Sequence, residues 1–321
     1  MGQERYIRQQ LEDHEISLAE QVGQHVLVDD EVLDLLSQQV ISGANVLEIG
    51  SGPGNLTSKL AERASRVVGI EIDWRFAPVL EKLQAISPNL EVVYRDALAV
   101  NFEKIMGSGR DEDWQIFSNL PFHISEPFLK KVAGLPVENV VLVVGDTLAR
   151  LMQIDSPNSS EFSRTSLLSQ TFFDTSAIAE IDKDSFYPPP RTHATAVVLI
   201  PREREEFQSN PRLAVQRNLF LTEHKSLTIG KVIKETHDNF RSSGSVKSYR
   251  PIRRRARQEL RQLLREVRGG GLNEHDNFER RNVNRDDSLG LSERILSTPF
   301  ARLNNQEVRD LAKAFQSKFG Q

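Results

Sequence analysis

Three glycines and two acids raise the first chemical question. Gly50, Gly52 and Gly54 lie in "VLEIGSGPGNLT", an apolar run that passes into a glycine-rich turn and then a helical pattern. Such a turn lets the backbone approach a ligand more closely than any Cβ permits. Its spacing is not the G-x-G-x-x-G of dinucleotide sites, and no lysine follows as in a P-loop. Roughly 20 residues on, Glu71 ends "VVGIE", where a carboxylate can accept hydrogen bonds from ribose hydroxyls. Asp96 ends "EVVYRD" and can accept from an adenine amine. Each acid alone reads as a solvated strand end or a helix cap. Together, at the carboxyl ends of neighbouring strands, they describe a nucleoside site at the edge of an open α/β sheet. S-adenosylmethionine fits such a site better than a nucleoside triphosphate, because it carries adenosine and an amino-acid tail but no phosphate. Upstream, Gln24, His25 and Leu27 of "GQHVLVDD" are candidates to close over the methionine end, with Asp29 or Asp30 capping the helix that follows. Ile72 and Ala97, next to the two acids, complete the cofactor set.

A second group, Asn119 to Phe122 in "SNLPFHIS", also ends an apolar run. Adenine's exocyclic amine is a poor nucleophile, because its lone pair is delocalised into the ring. Two acceptors on its N–H groups push it towards tetrahedral geometry and bind the reacting form better than the flat one. The Asn119 side-chain oxygen, which also faces the cofactor, and the Leu120 carbonyl suit that task. Pro121 fixes the turn, and Phe122 offers a face on which an extruded base can stack. What remains is alignment of amine and methyl group, with no nucleophilic side chain or metal. In isolation the four residues also read as a strand ending in a proline turn. The glycine turn and the two acids before them tip the balance.

These residues need a scaffold that brings distant stretches to one edge. "NVLEIG", "RVVGIEI", "LEVVYRD", "WQIFSNL" and "NVVLVVG" are short runs rich in Val and Ile, most of them separated by amphipathic segments. That rhythm predicts an α/β fold, a parallel sheet wound with helices on both faces. "FYPPPRTHATAVVLIPRE" predicts a proline-forced turn and a final strand from Thr195 to Ile200. Beyond Pro201 the chain looks helical. Two domains are therefore expected, a catalytic one over 1–201 with an N-terminal extension at 1–20, and a smaller helical one over 202–321. Gly269-Gly270-Gly271 opens a polar stretch expected to be a flexible loop over 269–287. "NQEVRDLAKAF" predicts a last amphipathic helix.

Composition narrows the partners. Of 321 residues, 38% are hydrophobic and 27% charged, an ordinary globular balance. The absence of cysteine excludes disulfides and thiolate metal sites. "MGQERYIRQQ" is too polar for a secretory signal, and "VVLVV" at Val140 to Val144 is far too short to cross a bilayer. The expectation is a soluble, cytoplasmic monomer without metal or membrane partner. The net charge of −4 masks a local excess, because ten basic residues stand against two acids between Arg241 and Gly270. There Ile252, Ala256, Leu260, Leu263, Leu264 and Val267 fall on one helical face, with arginines over the rest. A charged helix is usually just a solvated face. The excess of one sign points instead to phosphates, with Arg253, Arg254, Arg255, Arg257 and Arg261 as RNA contacts.

Taken in order, "GQHVL", "VLEIGSGPGNLT", "GIEID", "RDAL" and "NLPFHIS" resemble the ribosomal RNA adenine dimethyltransferases, the group of KsgA and the macrolide-resistance Erm enzymes. "FYPPPRTHATAVVLIPRE" resembles the strand pair closing that family's catalytic domain, and "SEFSRTSLLSQTFFD" the segment before it. "HKSL" resembles a basic helix of its C-terminal domain, which adds Lys225 to the RNA candidates. The likeness runs from about Val22 to Ile233. It implies a Rossmann-like domain, S-adenosylmethionine as methyl donor and two methyl transfers to each adenosine. It also implies cofactor contacts at His25, Leu27, Gly50, Glu71 and Asp96, the target amine at Asn119 and base stacking at Phe122. The chain departs from the family at "VGDTLARL", which keeps Asp146 and Arg150-Leu151 but lacks the family's Gln and Lys. It departs again at Glu223-His224-Lys225, a reduced basic triplet, and at Phe122, where bacterial small-subunit enzymes commonly have Tyr. None of these touches the methyl-transfer groups; they bear on RNA grip and target choice. The expected activity is rRNA (adenine-N6,N6-)dimethyltransferase on small-subunit, 16S-type rRNA in ribosome maturation, with rRNA or a pre-ribosomal subunit as partner. The alternatives are an Erm-like enzyme of large-subunit 23S rRNA, and a non-catalytic RNA- or DNA-binding factor on the same fold.

Overall fold

The computed structural model describes residues 3–107, 113–120, 124–221, 227–242 and 291–319. By packing the chain divides into two units, Met1–Gln153 with Phe173–Pro201, and Ile154–Phe172 with Arg202–Gln321. Residues 154–172, expected from sequence in the first domain, thus belong by their contacts to the second.

In the first unit, helix α1 (Gln3–Asp13) and the short strand β1 (Val26–Leu27) precede an alternating series. It runs α2 (Asp30–Ser37), β2 (Asn45–Ile49), α3 (Asn55–Ala61), β3 (Arg66–Glu71), α4 (Ala77–Ile86), β4 (Leu90–Tyr94) and α5 (Phe102–Met106). It continues with β5 (Trp114–Asn119), α6 (Ser125–Val132), β6 (Asn139–Gly145) and α7 (Asp146–Gln153). Strands β7 (Phe173–Ile181), β8 (Phe186–Tyr187) and β9 (Ala194–Pro201) close the unit. Asp29 caps α2, accepting from the N–H groups of Glu31 at 3.0 Å and Val32 at 3.3 Å. The N-terminal extension is helical and docked: Ile7 and Leu11, one turn apart on α1, are buried with Phe76 and Leu80.

Seven strands form one sheet in the order β4-β3-β2-β5-β6-β9-β7. Strands β2 to β6 run parallel; β9 is antiparallel to β6, and β7 to β9. The parallel strands are mostly apolar because both faces are covered over most of the sheet. Val46, Val67, Phe117 and Val141 pack with Leu33, Leu36, Leu56 and Leu60 of α2 and α3. Their neighbours Leu47, Val68, Ile116 and Leu142, which point the other way in a strand, are equally buried. From β2 the chain winds outward to β4, then returns to β5 and winds outward on the other side. The order reverses between β2 and β5, which leaves a crevice beyond their carboxyl ends. The final strand expected from Thr195 to Ile200 extends one residue further at each end, and β7 is a strand that the sequence reading lacks.

The described part of the second unit is helical: α8 (Arg164–Phe172), α9 (Arg204–Ser209), α10 (Pro211–Leu221), α11 (Ile229–Ser242), α12 (Glu293–Ser297) and α13 (Asn305–Phe319). Its core holds Phe162, Leu167, Val215, Ile233, Leu311 and Phe315. Phe220 meets Phe172 and Phe300 edge-on, with ring centroids 5.9 and 4.9 Å apart. Helix α13 contains the predicted "NQEVRDLAKAF". The expected loop at 269–287 and the arginine-rich helix lie outside the described residues. Among the described residues no helix is long and apolar enough to cross a membrane.

Candidate active site

The turn after β2 is braced from the neighbouring strand. Gly50 N–H donates to the Ile70 carbonyl at 2.8 Å, so the turn starts while still tied to β3. Gly50 and Gly52 hold φ of 78° and 53°, backbone that residues with a Cβ rarely adopt. Gly52 N–H then donates to Glu71 Oε2 at 2.7 Å, and Asp73 N–H to Glu71 Oε1 at 2.7 Å. Burial pushes the Glu71 carboxyl above its ordinary range, and these backbone donors pull it back. A carboxylate offers roughly four acceptor positions, so Glu71 can brace the turn and still serve a ligand.

Above the turn lies a cavity of about 350 Å³, within the range of small-molecule sites. Gln24, His25, Leu27, Gly50, Gly52, Glu71, Ile72, Asp96, Ala97 and Asn119 all line it. Gly54 does not. It caps α3, and a Cβ there would meet Leu83 at 3.0 Å and Leu80 at 3.3 Å, so this glycine serves the packing of α3 on α4. Gln24 also straps the loop before β1: its Nε2 donates to Asp73 Oδ2 at 2.9 Å, and its Oε1 accepts from Ala19 N–H at 2.8 Å. His25 Nδ1 lies 2.7 Å from the Pro188 carbonyl; a carbonyl only accepts, so that nitrogen carries the proton. Strand β1 pairs antiparallel with β8, Val26 opposite Tyr187 and Leu27 opposite Phe186. The triple-proline segment thus holds "GQHVL" against the cavity.

Across the crevice Asn119 ends β5. Its Nδ2 donates to the His25 carbonyl at 2.8 Å, which commits the amide nitrogen and leaves Oδ1 as the group's acceptor. Leu120 follows with a buried side chain and its N–H on the Val143 carbonyl at 3.0 Å. Pro121 and Phe122 lie outside the described residues, as do Lys225, Arg253, Arg254, Arg255, Arg257 and Arg261.

The cavity floor contains residues absent from the sequence candidates. Glu48, 2% exposed, accepts through Oε2 from Ser51 Oγ at 2.8 Å and Thr57 Oγ1 at 2.5 Å. Burial pushes its pKa up to about 7 against those two hydroxyl bonds, and the charge of Glu71 adds to the rise. Asn55 donates from Nδ2 to the Leu27 carbonyl at 2.8 Å, while its buried Oδ1 has no partner among the described residues. Leaving such an acceptor bare costs about 1–3 kcal/mol. Glu48, Ser51 and Asn55 all line the cavity. One signal was present in the sequence: Glu48 interrupts an otherwise apolar strand, and a fully buried Glu is rare unless paired. With Glu48, Glu71, Asp96 and the side-chain amides of Gln24, Asn55 and Asn119 in its walls against Arg95, the cavity suits a cationic ligand rich in hydrogen-bond donors.

A family model for ribosomal RNA adenine dimethylase matches residues 17–260. The chain is 32% identical over 213 residues to the probable ribosomal RNA small subunit methyltransferase A of Methanopyrus kandleri, covering 65% of this chain and 73% of that one. It is 27% identical over 249 residues to ribosomal RNA small subunit methyltransferase A of Alkaliphilus oremlandii, covering 74% and 82%. Among solved structures, a dimethyladenosine transferase from Plasmodium falciparum aligns with a TM-score of 0.53 at 22% identity, over 92% of this chain and 98% of that one. The 23S rRNA methyltransferase ErmE aligns at 0.51 and 19% identity, over 92% and 100%. At these identities the two structures speak to the fold alone.

Proposed function

This chain belongs to the ribosomal RNA adenine dimethylase family, and on that premise we propose that it dimethylates N6 of adenosines in small-subunit rRNA with S-adenosylmethionine as donor. Relatives that carry the small-subunit name in both archaea and bacteria support the target; the likeness to ErmE is one of fold. The donor fits the residues present. Its adenine amine and ribose hydroxyls are hydrogen donors suited to Asp96 and Glu71, and its cationic groups suit a cavity walled by acceptors. The orphan Oδ1 of Asn55 is itself an acceptor waiting for a partner. When bound, S-adenosylmethionine supplies a methyl group made electrophilic by its sulfonium.

The observation that carries the reading is the fixed amide of Asn119 beside this cavity, held by the His25 carbonyl at 2.8 Å. Asn119 Oδ1 and the Leu120 carbonyl accept the two N–H groups of the target amine and draw its lone pair out of the ring. Because those acceptors meet the pyramidal amine better than the flat one, they favour the transition state over the ground state. Phe122 stacks the extruded base, and Pro121 sets the turn between them.

Labelled S-adenosylmethionine offered to unmethylated small subunits, large subunits and naked rRNA tests the reading. Label should enter the small-subunit RNA, and the dimethylated base should stop reverse transcription. Label confined to large-subunit RNA would overturn the target. Asn119→Ala should reduce transfer by about 100-fold or more, the scale of losing one preorganised transition-state contact. Its affinity for the donor should stay within a few fold, by calorimetry; equal loss of both would contradict the role given to this amide.

A further inference from the structure

Two residues beyond Ile72, which lines the cavity, the chain exposes an aromatic side chain, Trp74. Trp74 is 74% exposed and Ile72 68% exposed, directly after the carboxyl end of β3. The turn that presents them is pinned at every neighbouring residue. Asp73 N–H bonds Glu71, and the Asp73 carboxylate accepts from Arg75 Nε at 2.8 Å and Gln24 Nε2 at 2.9 Å. Arg75 Nη1 reaches on to the Ser17 carbonyl at 3.0 Å, and Phe76 is buried beneath α1. An exposed indole on a pinned turn is a ready stacking surface, because its backbone is already ordered.

A second observation lies beside it. A groove of about 410 Å³ runs along β3, β4 and α5; among the described residues its walls hold Arg66, Arg95 and Lys104 against the single acid Glu91. Glu91 is already paired with Arg66 at 2.8 Å, so among the described residues no acid of the groove walls is left for Arg95 and Lys104. Arg95 lines both groove and cavity. Its N–H donates to the Glu71 carbonyl at 2.8 Å, which sets it beside Ile72 at the strand ends. A flat exposed aromatic, then a cation shared with the cavity, then a cationic groove make a path away from the reacting centre.

We propose that this lip and groove are a second contact for single-stranded RNA. One unpaired base stacks on Trp74, and its flanking phosphates pass along Arg95 and Lys104. Aromatic faces with interleaved cations are what an unpaired strand requires. An adenosine extruded for chemistry leaves unpaired neighbours that need such a place. The inference rests on RNA being the substrate and adds where its flanking nucleotides lie.

Trp74 supplies its own probe, since the chain has only one other tryptophan, Trp114, which is 2% exposed. The full chain is titrated with unstructured oligouridylate and, separately, with S-adenosylhomocysteine, reading indole emission and iodide quenching. Oligouridylate should remove the iodide-accessible emission. Trp74→Ala should weaken its binding by about 5-fold or more, the lower end of one base–aromatic stack, while Trp74→Phe keeps most of it. Lys104→Ala should lower the salt dependence of binding. Unchanged oligonucleotide affinity in Trp74→Ala would overturn the proposal. So would full protection of Trp74 by S-adenosylhomocysteine alone, which would assign the lip to the nucleoside instead. Methylation of small subunits by the unaltered protein is scored in parallel: if it persists while the lip fails these tests, only this inference falls. If RNA quenches Trp74 but no rRNA is methylated, the lip stands and the enzymatic reading falls.

Discussion

A carboxyl buried as deeply as that of Glu48 either keeps its proton or ionises against a nearby positive charge. In the protein alone the first state prevails below neutral pH, because burial raises its pKa from 4.5 to about 7. The folded value lies above the unfolded one, so folding favours the proton. The stability contributed by the neutral acid is complete below 4.5 and is lost as the pH climbs through about 7. Thermal unfolding of the ligand-free protein should therefore show a midpoint that falls over that window, and Glu48→Gln should flatten most of the fall. A slope unaltered by the substitution would assign the titration to another group. A cation in the cavity reverses the preference of Glu48, since an opposite charge nearby favours ionisation. Uptake of S-adenosylmethionine near neutral pH should then release a proton, measured by calorimetry in buffers of differing ionisation heat. Glu48→Gln should abolish most of that release; release of the same size from the variant would give the proton to a different acid.

The strands reach this arrangement through a position that has no side chain. Gly69 lies within β3, directly opposite Glu48 of β2. A Cβ there would overlap Ser51 Oγ and come within 3.8 Å of Glu48 Oε2. Gly69→Ala should therefore cost about 1–3 kcal/mol, as overpacking does. The same change in a Ser51→Ala background should cost less, because the overlapping oxygen is gone. Denaturant unfolding of the four proteins should give a coupling above about 0.5 kcal/mol; additive costs would mean that β3 shifts as a whole. This dependence explains what the sequence shows and what it hides. Strands β2, β3, β5 and β6 are readable because most of their length is buried, which leaves a nearly continuous apolar run. Strand β7 is not, because among the described residues it pairs with β9 alone, and its exposed Asp174, Ser176, Ala177 and Glu180 dilute the pattern. The cavity walls are legible for the same reason as the strands, being the residues at their carboxyl ends. Its floor is not, since Glu48 makes sense only with Ser51, Thr57 and Gly69, which the fold gathers from two strands, a turn and a helix.

The charge of the whole chain is distributed unevenly. Residues 241–270 carry ten basic and two acidic side chains, a local +8, so the remainder holds −12 within the total of −4. A polyanion is repelled by most of such a chain and drawn to few parts of it. On the function proposed, Arg253, Arg254, Arg255, Arg257 and Arg261 neutralise phosphates and bring the RNA within reach of Asn119. Counterion release makes that countable: each contact contributes about −0.9 to the slope of log affinity against log salt on a duplex, and about −0.7 on a single strand. Replacing all five arginines with alanine should remove up to roughly four units of slope from binding to an rRNA hairpin. The measurement is fluorescence anisotropy across a series of potassium chloride concentrations. Donor affinity should stay within a few fold, because the cavity is walled by other residues. An unchanged slope would take the arginine run out of the interface and leave the Trp74 lip and the Arg95–Lys104 groove to hold the strand. In that event Lys104→Ala alone should produce the larger loss of slope, which separates the two surfaces in a single experiment.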